Sequence, residues 1–152
     1  MSRDQRVSDN WALIYAQDLA LKNKTPLFVV FALSEEFPQA NLRHFDFLLR
    51  GLKSVASDLQ KKDIPFFLLK GPPAKVLPAF CREHQVGEVI TDFSPLKIKG
   101  IWLKALLPKL DCSLTEVDTH NIVPCRLASP KKEFCYHILP SDSPVIQPQD
   151  CW

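Results

Sequence analysis

The sequence contains very little glycine, with four glycines against thirteen prolines in 152 residues. Average usage is about 7% glycine and about 5% proline, so glycine is scarce and proline abundant. The four glycines are widely separated, and they form neither the G-x-G-x-x-G pattern of dinucleotide-binding loops nor the G-x-x-x-x-G-K-[ST] pattern of P-loops. These two kinds of phosphate-binding loop are therefore excluded.

Cysteine pairs, an excess of one charge and long apolar runs are also lacking. The five cysteines, an odd number, contain no C-x-x-C pair, which argues against a disulfide framework or a zinc site. A formal net charge of +2 is far from the basic excess of a general nucleic-acid-binding surface. The first residues are charged, unlike a signal peptide, and no run approaches the ~20 apolar residues of a membrane helix. We expect one soluble intracellular domain, in the nucleus or cytoplasm, without membrane contact.

Hydrophobic patterning predicts helices and strands that alternate along the chain. Apolar residues at helical spacing indicate four helices, the first capped by Ser8 or Asp9, whereas short continuous apolar runs suit strands covered on both faces. The predicted order is helix 9–22, strand 27–33, helix 41–62, strand 66–69, a helix that begins or kinks near Pro78 and closes at Gly87, strand 88–92, a helix around 98–106, and strand 114–118. This alternation indicates an α/β, Rossmann-like domain with a mostly parallel sheet and helices on both faces.

The two ends of the chain depart from that pattern. The chain opens on a loop and a helix, although such domains usually begin with the strand at the centre of the sheet. From Pro130 onward the pattern dissolves, and Pro140, Pro144 and Pro148 recur every four residues among polar side chains. We expect a domain over residues 2–129 followed by a disordered tail over residues 130–152.

Three separated motifs resemble a known family. They are Ser2-Arg3-Asp4-Gln5-Arg6-Val7 with Asp9-Asn10-Trp11-Ala12-Leu13, then Thr91-Asp92-Phe93-Ser94-Pro95-Leu96, then Val117-Asp118-Thr119-His120-Asn121-Ile122-Val123-Pro124. In this order they closely resemble the N-terminal α/β domain of class II cyclobutane pyrimidine dimer DNA photolyases, over about residues 2–136.

The resemblance implies light-dependent DNA repair shared between two domains. The N-terminal domain docks on a larger helical domain and can hold an antenna chromophore, a deazaflavin or another pigment. The helical domain holds FAD, flips the damaged dinucleotide out of the duplex, and splits the pyrimidine dimer by electron transfer from the reduced flavin. Damaged DNA is therefore a partner only through the helical domain.

The chain also differs from the family's pattern. In the family, the first motif follows directly on an apolar first strand, and Met1 stands where that strand would end. Arg126 replaces a tryptophan, and the similarity stops after Tyr136. We therefore expect an incomplete domain whose first central strand is missing, a truncated protein without the FAD-binding helical domain, and no repair activity from this chain alone.

The resemblance also implies candidate residues for the antenna chromophore. In a doubly wound sheet, ligands bind beyond the carboxyl ends of the strands, and all three motifs are predicted to lie at such ends. The candidates are Arg3, Asp92, Phe93 and Ser94, with Arg3 offering charge to an acidic pigment tail and Phe93 a stacking face. The alternative is that Arg3 and Asp9 pair with each other or cap the first helix.

Other chemically suggestive residues each have two interpretations. His120 is a general base or a loop histidine that bonds to the backbone. Cys135 and His137 are a weak metal pair or part of the tail. Cys81 lies on an apolar stripe and is expected to be a small core residue.

The lysines at positions 97, 99, 104 and 109 form a basic cluster around Trp102. They are a phosphate-binding surface or the solvated outer face of a helix whose apolar side, with Trp102, packs on the sheet.

Three functional hypotheses therefore stay open. The chain is the antenna and docking part of a photolyase, or a non-catalytic module that binds a pigment or a protein partner, or a non-functional truncated product. In the second case, loss of the helical domain exposes an apolar face that favours self-association.

Overall fold

The computed structural model describes residues 1–34 and 41–128, so the predicted tail lies outside the described residues. The elements are α1 Trp11–Asn23, β1 Val29–Leu33, α2 Leu42–Gln60, β2 Phe66–Lys70, α3 Pro73–Glu83, β3 Glu88–Asp92, α4 Lys97–Leu106, a 3₁₀ helix Leu107–Lys109, β4 Ser113–Val117 and α5 Cys125–Ala128. This order confirms the α/β alternation. None of the described helices is both long and apolar enough to cross a membrane.

The four strands form two separate parallel pairs. β1 pairs with β2, with Val29 opposite Phe66, and β3 pairs with β4, with Glu88 opposite Ser113. β1 and β3 are not hydrogen-bonded to each other, and no strand among the described residues lies between them. The described strands therefore leave a gap between β1 and β3.

The hydrophobic core lies between β1 and α2. Leu59, Val55 and Val29 form a buried cluster, in which Leu59 is 0% exposed. Five partly buried residues pack against it: Met1, Val7, Leu13, Ile64 and Phe66. The N-terminal segment is thus anchored on the core through Met1 and Val7.

Burial within the strands differs from the expectation for two covered faces. Val29 and Phe31 are buried in β1, but Val30, Val89 and Ile90 are only half-buried. These three half-buried residues border the space between β1 and β3. The apolar runs do form strands, but their burial is incomplete.

Two helix starts differ from the sequence interpretation. The N-cap of α1 is Asn10, whose side chain accepts a hydrogen bond from the backbone N–H of Leu13, rather than Ser8 or Asp9. α3 starts at Pro73 and continues through Pro78, which is buried inside the helix. An N–H at the first helical position has no partner within the helix, so proline, which lacks an N–H, loses no hydrogen bond there. Pro73 therefore marks the start of α3.

The inner face of helix α4 includes a lysine as well as the expected Trp102. Ile101 is 64% exposed, whereas Lys99, interpreted above as one of the lysines of a solvated outer face, is 8% exposed. Lys99 shares the inner face with Trp102 and Leu106, at a helical spacing of three and seven residues. The interpretation of Lys99 as solvated is wrong, and the other three lysines of the cluster are exposed.

Candidate functional site

The three sequence motifs meet at the carboxyl ends of β3 and β4. Asp92, the last residue of β3, accepts hydrogen bonds from the backbone N–H groups of Ser2, Arg3 and Asp4. Arg6 donates to the backbone carbonyl oxygen of Thr119 at 3.4 Å, just after β4. The expectation that these three segments share one edge of the domain is therefore confirmed.

Asp92 is the centre of this edge. Its side chain is 1% exposed and also accepts a hydrogen bond from the Ser2 hydroxyl. Burial by itself raises the pKa of a carboxyl, but the N-terminal ammonium, the Ser2 hydroxyl and the Asp4 backbone N–H together hold the pKa of Asp92 below its ordinary value. Asp92 is thus a buried anion that fixes the path of the first motif.

Lys99 is the buried cation beside it. Its ammonium donates to the Ser2 hydroxyl at 2.8 Å and to the Thr91 hydroxyl at 2.7 Å, and lies 3.9 Å from a carboxylate oxygen of Asp92. Burial lowers the pKa of Lys99, and the charges of Asp92 and Glu116 oppose this only in part. Sequence reasoning placed Lys99 in the basic cluster but did not predict its burial, although its helical spacing to Trp102 was a usable signal.

Asp4 and Arg6 form a second ion pair within the first motif. The guanidinium of Arg6 contacts both carboxylate oxygens of Asp4, at 2.8 and 3.0 Å, and Asp4 is 2% exposed. The side-chain amide of Asn10 donates to the carbonyl oxygens of Asp4 and Arg6. The alternative that Arg3 and Asp9 pair with each other or cap α1 is wrong. Arg6 pairs with Asp4 instead, and Asn10 caps α1.

A large cavity lies between the two halves of the sheet. Its volume is about 1150 Å³, and it is bordered by β1 residues such as Val30 and Ala32 and by β3 residues such as Val89 and Ile90. This volume is above the common range of ~300–1,000 Å³ for small-molecule pockets. The walls are largely apolar strand and helix residues, with the Asp92 edge at one end.

The four candidate chromophore contacts occupy different environments. Arg3 is exposed, Phe93 and Ser94 are half-buried, and Asp92 is buried. Arg3, Asp92 and Ser94 border the cavity, whereas Phe93 is outside its lining. The Ser94 hydroxyl accepts a hydrogen bond from the backbone N–H of Leu96 at 3.4 Å. Chromophore binding by these residues stays a prediction.

The third motif forms a loop with several hydrogen bonds of its own. His120 is exposed, its ring Nδ1 lies 3.0 Å from the Thr119 hydroxyl, and its backbone N–H donates to Asp118. Burial by itself raises the pKa of Asp118, but hydrogen bonds from Asn121, Cys125 and His120 lower this pKa overall. His120 is therefore a loop histidine, with its ring on a neighbouring hydroxyl rather than on the backbone.

The cysteines of interest lie in different parts of the chain. Cys81 is buried as expected of a core residue, and burial together with the neighbouring Cys112 raises its pKa to about 11. Cys135 and His137 lie outside the described residues. Cys81 is thus not a reactive thiolate at neutral pH.

The amino group of Met1 gives the fold a pH dependence that can be measured. It donates to the carbonyl oxygen of Val30 at 3.3 Å, and burial lowers its pKa, with Lys99 adding to this effect and Asp92 opposing it. An unfolded chain binds that proton more tightly, with a pKa of about 7.7–8.0. Stability should therefore rise with pH up to about pH 8, by about 1.4 kcal/mol per unit of pKa lowering.

Urea unfolding between about pH 6 and pH 8.5, with and without N-terminal acetylation, measures this dependence. Acetylation removes the titration of the amino group together with its attraction for Asp92, so the stability of the acetylated chain should depend less on pH between about pH 6 and pH 8.5. Parallel pH profiles for the two forms would contradict the expectation.

Comparison with known proteins gives a consistent answer for most of the chain. The family model for DNA photolyase matches residues 1–139. The deoxyribodipyrimidine photo-lyase of Potorous tridactylus is 53% identical over 137 residues, which are 88% of this chain and 26% of that protein. The Arabidopsis thaliana photo-lyase is 41% identical over 136 residues, 88% of this chain and 27% of that protein. The chain thus spans about a quarter of the length of these relatives.

A solved structure supports the fold alone. The universal stress protein from Archaeoglobus fulgidus, in complex with dAMP, superimposes with a TM-score of 0.50 at 15% identity, covering 76% of this chain and 92% of that one. Its likeness agrees with a Rossmann-like α/β domain. On the family match and the two photo-lyase relatives together, the chain belongs to the DNA photolyase family.

Proposed function

We propose that this chain is the antenna and docking domain of a class II deoxyribodipyrimidine photolyase, acting in light-dependent repair of cyclobutane pyrimidine dimers. The observation that carries the proposal is the convergence of the three motifs through Asp92 and Arg6 on one edge of the domain. The 53% identity to a photo-lyase supports it. Because the chain spans about a quarter of that relative, the proposal assigns dimer splitting and DNA contact to a helical domain.

The residues at the carboxyl ends of β3 and β4, where the three motifs meet, do not fit FAD. Asp92 and Lys99 are buried and bonded to groups of the chain itself. A dinucleotide pyrophosphate needs free donors, and the backbone N–H groups of Ser2, Arg3 and Asp4 already donate to Asp92. The family uses FAD and an antenna chromophore, and in this proposal the flavin chemistry belongs entirely to the helical domain.

The exposed side of the same edge suits an acidic chromophore better. Arg3 is exposed at the rim of the cavity, where its guanidinium can bind the anionic tail of a deazaflavin. Phe93 and Ser94 follow β3 directly and offer a ring face and a hydroxyl. Asp92 contributes by holding the backbone of Arg3 in place.

Replacing Arg3 by alanine should weaken deazaflavin binding by about tenfold or more, because a hydrogen bond to a charged group contributes about 1.5–3 kcal/mol. Fluorescence titration of the 152-residue chain with an 8-hydroxy-5-deazaflavin measures this. Arg50→Ala is the matched control, since Arg50 is exposed on α2 and pairs with Asp46. Equal affinities for the two variants would contradict the role of Arg3.

The docking role can be tested in a chimera. Residues 1–128 replace the matching part of the Potorous tridactylus photo-lyase, and the rest of that relative is left unchanged. We expect the chimera to split pyrimidine dimers in light and to be inactive in the dark, and the 152-residue chain with added FAD to be inactive in both. Repair by the chain alone, or a folded FAD-containing chimera without light-dependent repair, would contradict the proposal.

A second candidate function is a non-catalytic module that docks on a protein partner. It is favoured by large apolar side chains that neighbour each other on the surface, Ile122 at 98% and Val123 at 41% exposure. Such side chains are typical of an interaction surface when they are contiguous. A monomer at high concentration in sedimentation experiments would argue against self-association through them.

A further inference from the structure

Two cysteines that lie far apart in the sequence are neighbours in the fold. Cys81 lies in the last turn of α3, and Cys112 directly precedes β4. Both are free thiols, with Cys81 buried and Cys112 half-buried. Burial raises the pKa of Cys81, and the neighbouring Cys112 raises it further through its charge and a side-chain hydrogen bond. The two thiols therefore interact directly where α3 meets the start of β4.

Polar contacts on either side of the two cysteines hold their segments together. The guanidinium of Arg82 donates to the carboxylate of Asp111 at 3.4 Å, so the residues next to each cysteine are also joined. The Ser113 hydroxyl donates to the carbonyl oxygen of Gly87 at 3.5 Å, where the pairing of β3 with β4 begins. The ammonium of Lys109 donates to a backbone carbonyl of α3 at 3.4 Å. The packing of the fold, rather than one flexible side chain, thus brings the two thiols together.

We propose that Cys81 and Cys112 form a reversible oxidation site, which reacts with low-molecular-weight disulfides of the glutathione type. The Cys112 thiolate attacks one sulfur of oxidised glutathione, forms a mixed disulfide and releases one glutathione thiolate, which takes up a proton. The Cys81 thiol then gives its proton to solvent and attacks the Cys112 sulfur, which releases the second glutathione. Two protein thiols are thereby oxidised to one disulfide, and one glutathione disulfide is reduced to two glutathiones.

The burial of the two thiols sets the order of these steps. Cys112 is half-buried and within reach of a small disulfide, whereas Cys81 is only 7% exposed. With a pKa of about 11, about one Cys81 thiol in 10⁴ is ionised at pH 7. Attack from within the same site offsets this, because well-oriented groups react at effective molarities of about 10⁵ M or more. Cys112 in a mixed disulfide also carries no charge, so its own contribution to the raised pKa of Cys81 ends.

The disulfide would close a loop over residues 81–112. This loop contains β3 and α4, and with them Asp92 and Lys99. A disulfide stabilises a fold mainly by restricting the unfolded chain. Oxidation should therefore raise the urea midpoint and tie the strand that carries Asp92 to α3.

The test is oxidation of the folded full chain by oxidised glutathione near pH 8. Remaining thiols are then alkylated, and unreduced peptides are identified by mass spectrometry. The native chain should give two peptides joined through Cys81 and Cys112, which excess reduced glutathione separates again. Cys81→Ala should stop at one glutathione on Cys112, and Cys112→Ser should leave Cys81 unmodified. Cys125→Ser is the matched control, because Cys125 is exposed and hydrogen-bonded to Asn121, and its loss should leave the joined peptides in place.

The native chain alone decides the outcome, so the folding of the variants does not matter. Glutathione that stays on Cys112 while Cys81 is alkylated overturns the proposal, and so does Cys112 joined to another cysteine. A disulfide between Cys81 and Cys112 that forms only in urea also overturns it, because the fold then keeps the two thiols apart. Oxidised Cys125→Ser should have a higher urea midpoint than its reduced form, and an equal or lower midpoint contradicts the proposed stabilisation.

Discussion

Replacing Asp92 by alanine is expected to lower the free energy of unfolding by about 3–5 kcal/mol, the range observed when one partner of a buried ion pair is removed. The variant leaves the backbone N–H groups of Ser2, Arg3 and Asp4 without their acceptor. It also leaves the buried ammonium of Lys99 without its nearest carboxylate. Urea unfolding near pH 7 measures the loss.

Two further variants isolate the cause. Asp111→Ala removes a carboxylate that is 72% exposed and pairs with Arg82 at 3.4 Å, so its effect should stay within about 0.5 kcal/mol. Asp92→Asn keeps the shape but removes the charge, and its loss should lie between those of the two alanine variants. Similar losses for the alanine variants at positions 92 and 111 would contradict the central role of Asp92.

The charge of Asp92 also sets a dependence on acid. Its folded pKa is lowered, so its stabilisation is complete above the unfolded value of about 3.9 and is lost as the pH falls through the lowered folded value. The native chain should therefore lose more stability than Asp92→Asn in this acid range. Parallel acid profiles for the two proteins would show that another carboxyl group is responsible.

Most of the secondary structure and the meeting of the motifs could be predicted from the sequence. The run at residues 27–33 is short, apolar and preceded by Pro26, and these local properties are sufficient to identify a strand. The carboxyl ends of parallel strands lie at one edge, so the α/β pattern by itself places Asp92 and Thr119 near each other. Their contacts with the first motif follow from that arrangement.

The partners within the site could not be predicted in the same way. Lys99 lies on the inner face of α4, but a charged side chain is normally assigned to the solvent, and only the tertiary contact with Ser2 and Thr91 offsets the cost of burying it. Asn10 instead of Asp9 caps α1 because the same amide bridges the carbonyls of the first motif. The hydrogen-bond partners of Lys99 and Asn10 are set by contacts between distant segments, which local sequence pattern does not specify.

The fate of the central gap was equally open. The sequence predicts that the first central strand is missing, but it does not determine whether the strand pairs on either side stay apart. In the structure the two strand pairs stay apart, with a cavity of about 1150 Å³ between them and the Met1 amino group hydrogen-bonded to Val30. The N-terminal segment links the two strand pairs, because the Met1 amino group bonds to β1 and the backbone N–H of Ser2 bonds to Asp92 of β3, and these contacts depend on the whole fold.

Replacing Leu59 by alanine should lower the free energy of unfolding by about 2–5 kcal/mol, because the lost apolar contacts leave a cavity that the surroundings fill only in part. Leu59 is fully buried against Val29 and Val55, and the same cluster supports Met1 and Val7 of the N-terminal segment. The substitution should therefore also loosen that segment, and we expect faster hydrogen exchange at the Ser2 and Asp4 amides that bind Asp92.

Leu42→Ala is the matched control in the same helix, since Leu42 is 86% exposed at the start of α2, and its effect should stay within about 0.5 kcal/mol. Urea unfolding and amide exchange of both variants separate burial from helix propensity, because alanine replaces leucine in each. If Leu59→Ala lowers the free energy of unfolding but leaves exchange at Ser2 and Asp4 unchanged, the N-terminal segment is held by Asp92 alone. If the variant has both a lower free energy of unfolding and faster exchange at Ser2 and Asp4, the buried cluster around Leu59 and the hydrogen bonds to Asp92 stabilise the N-terminal segment jointly.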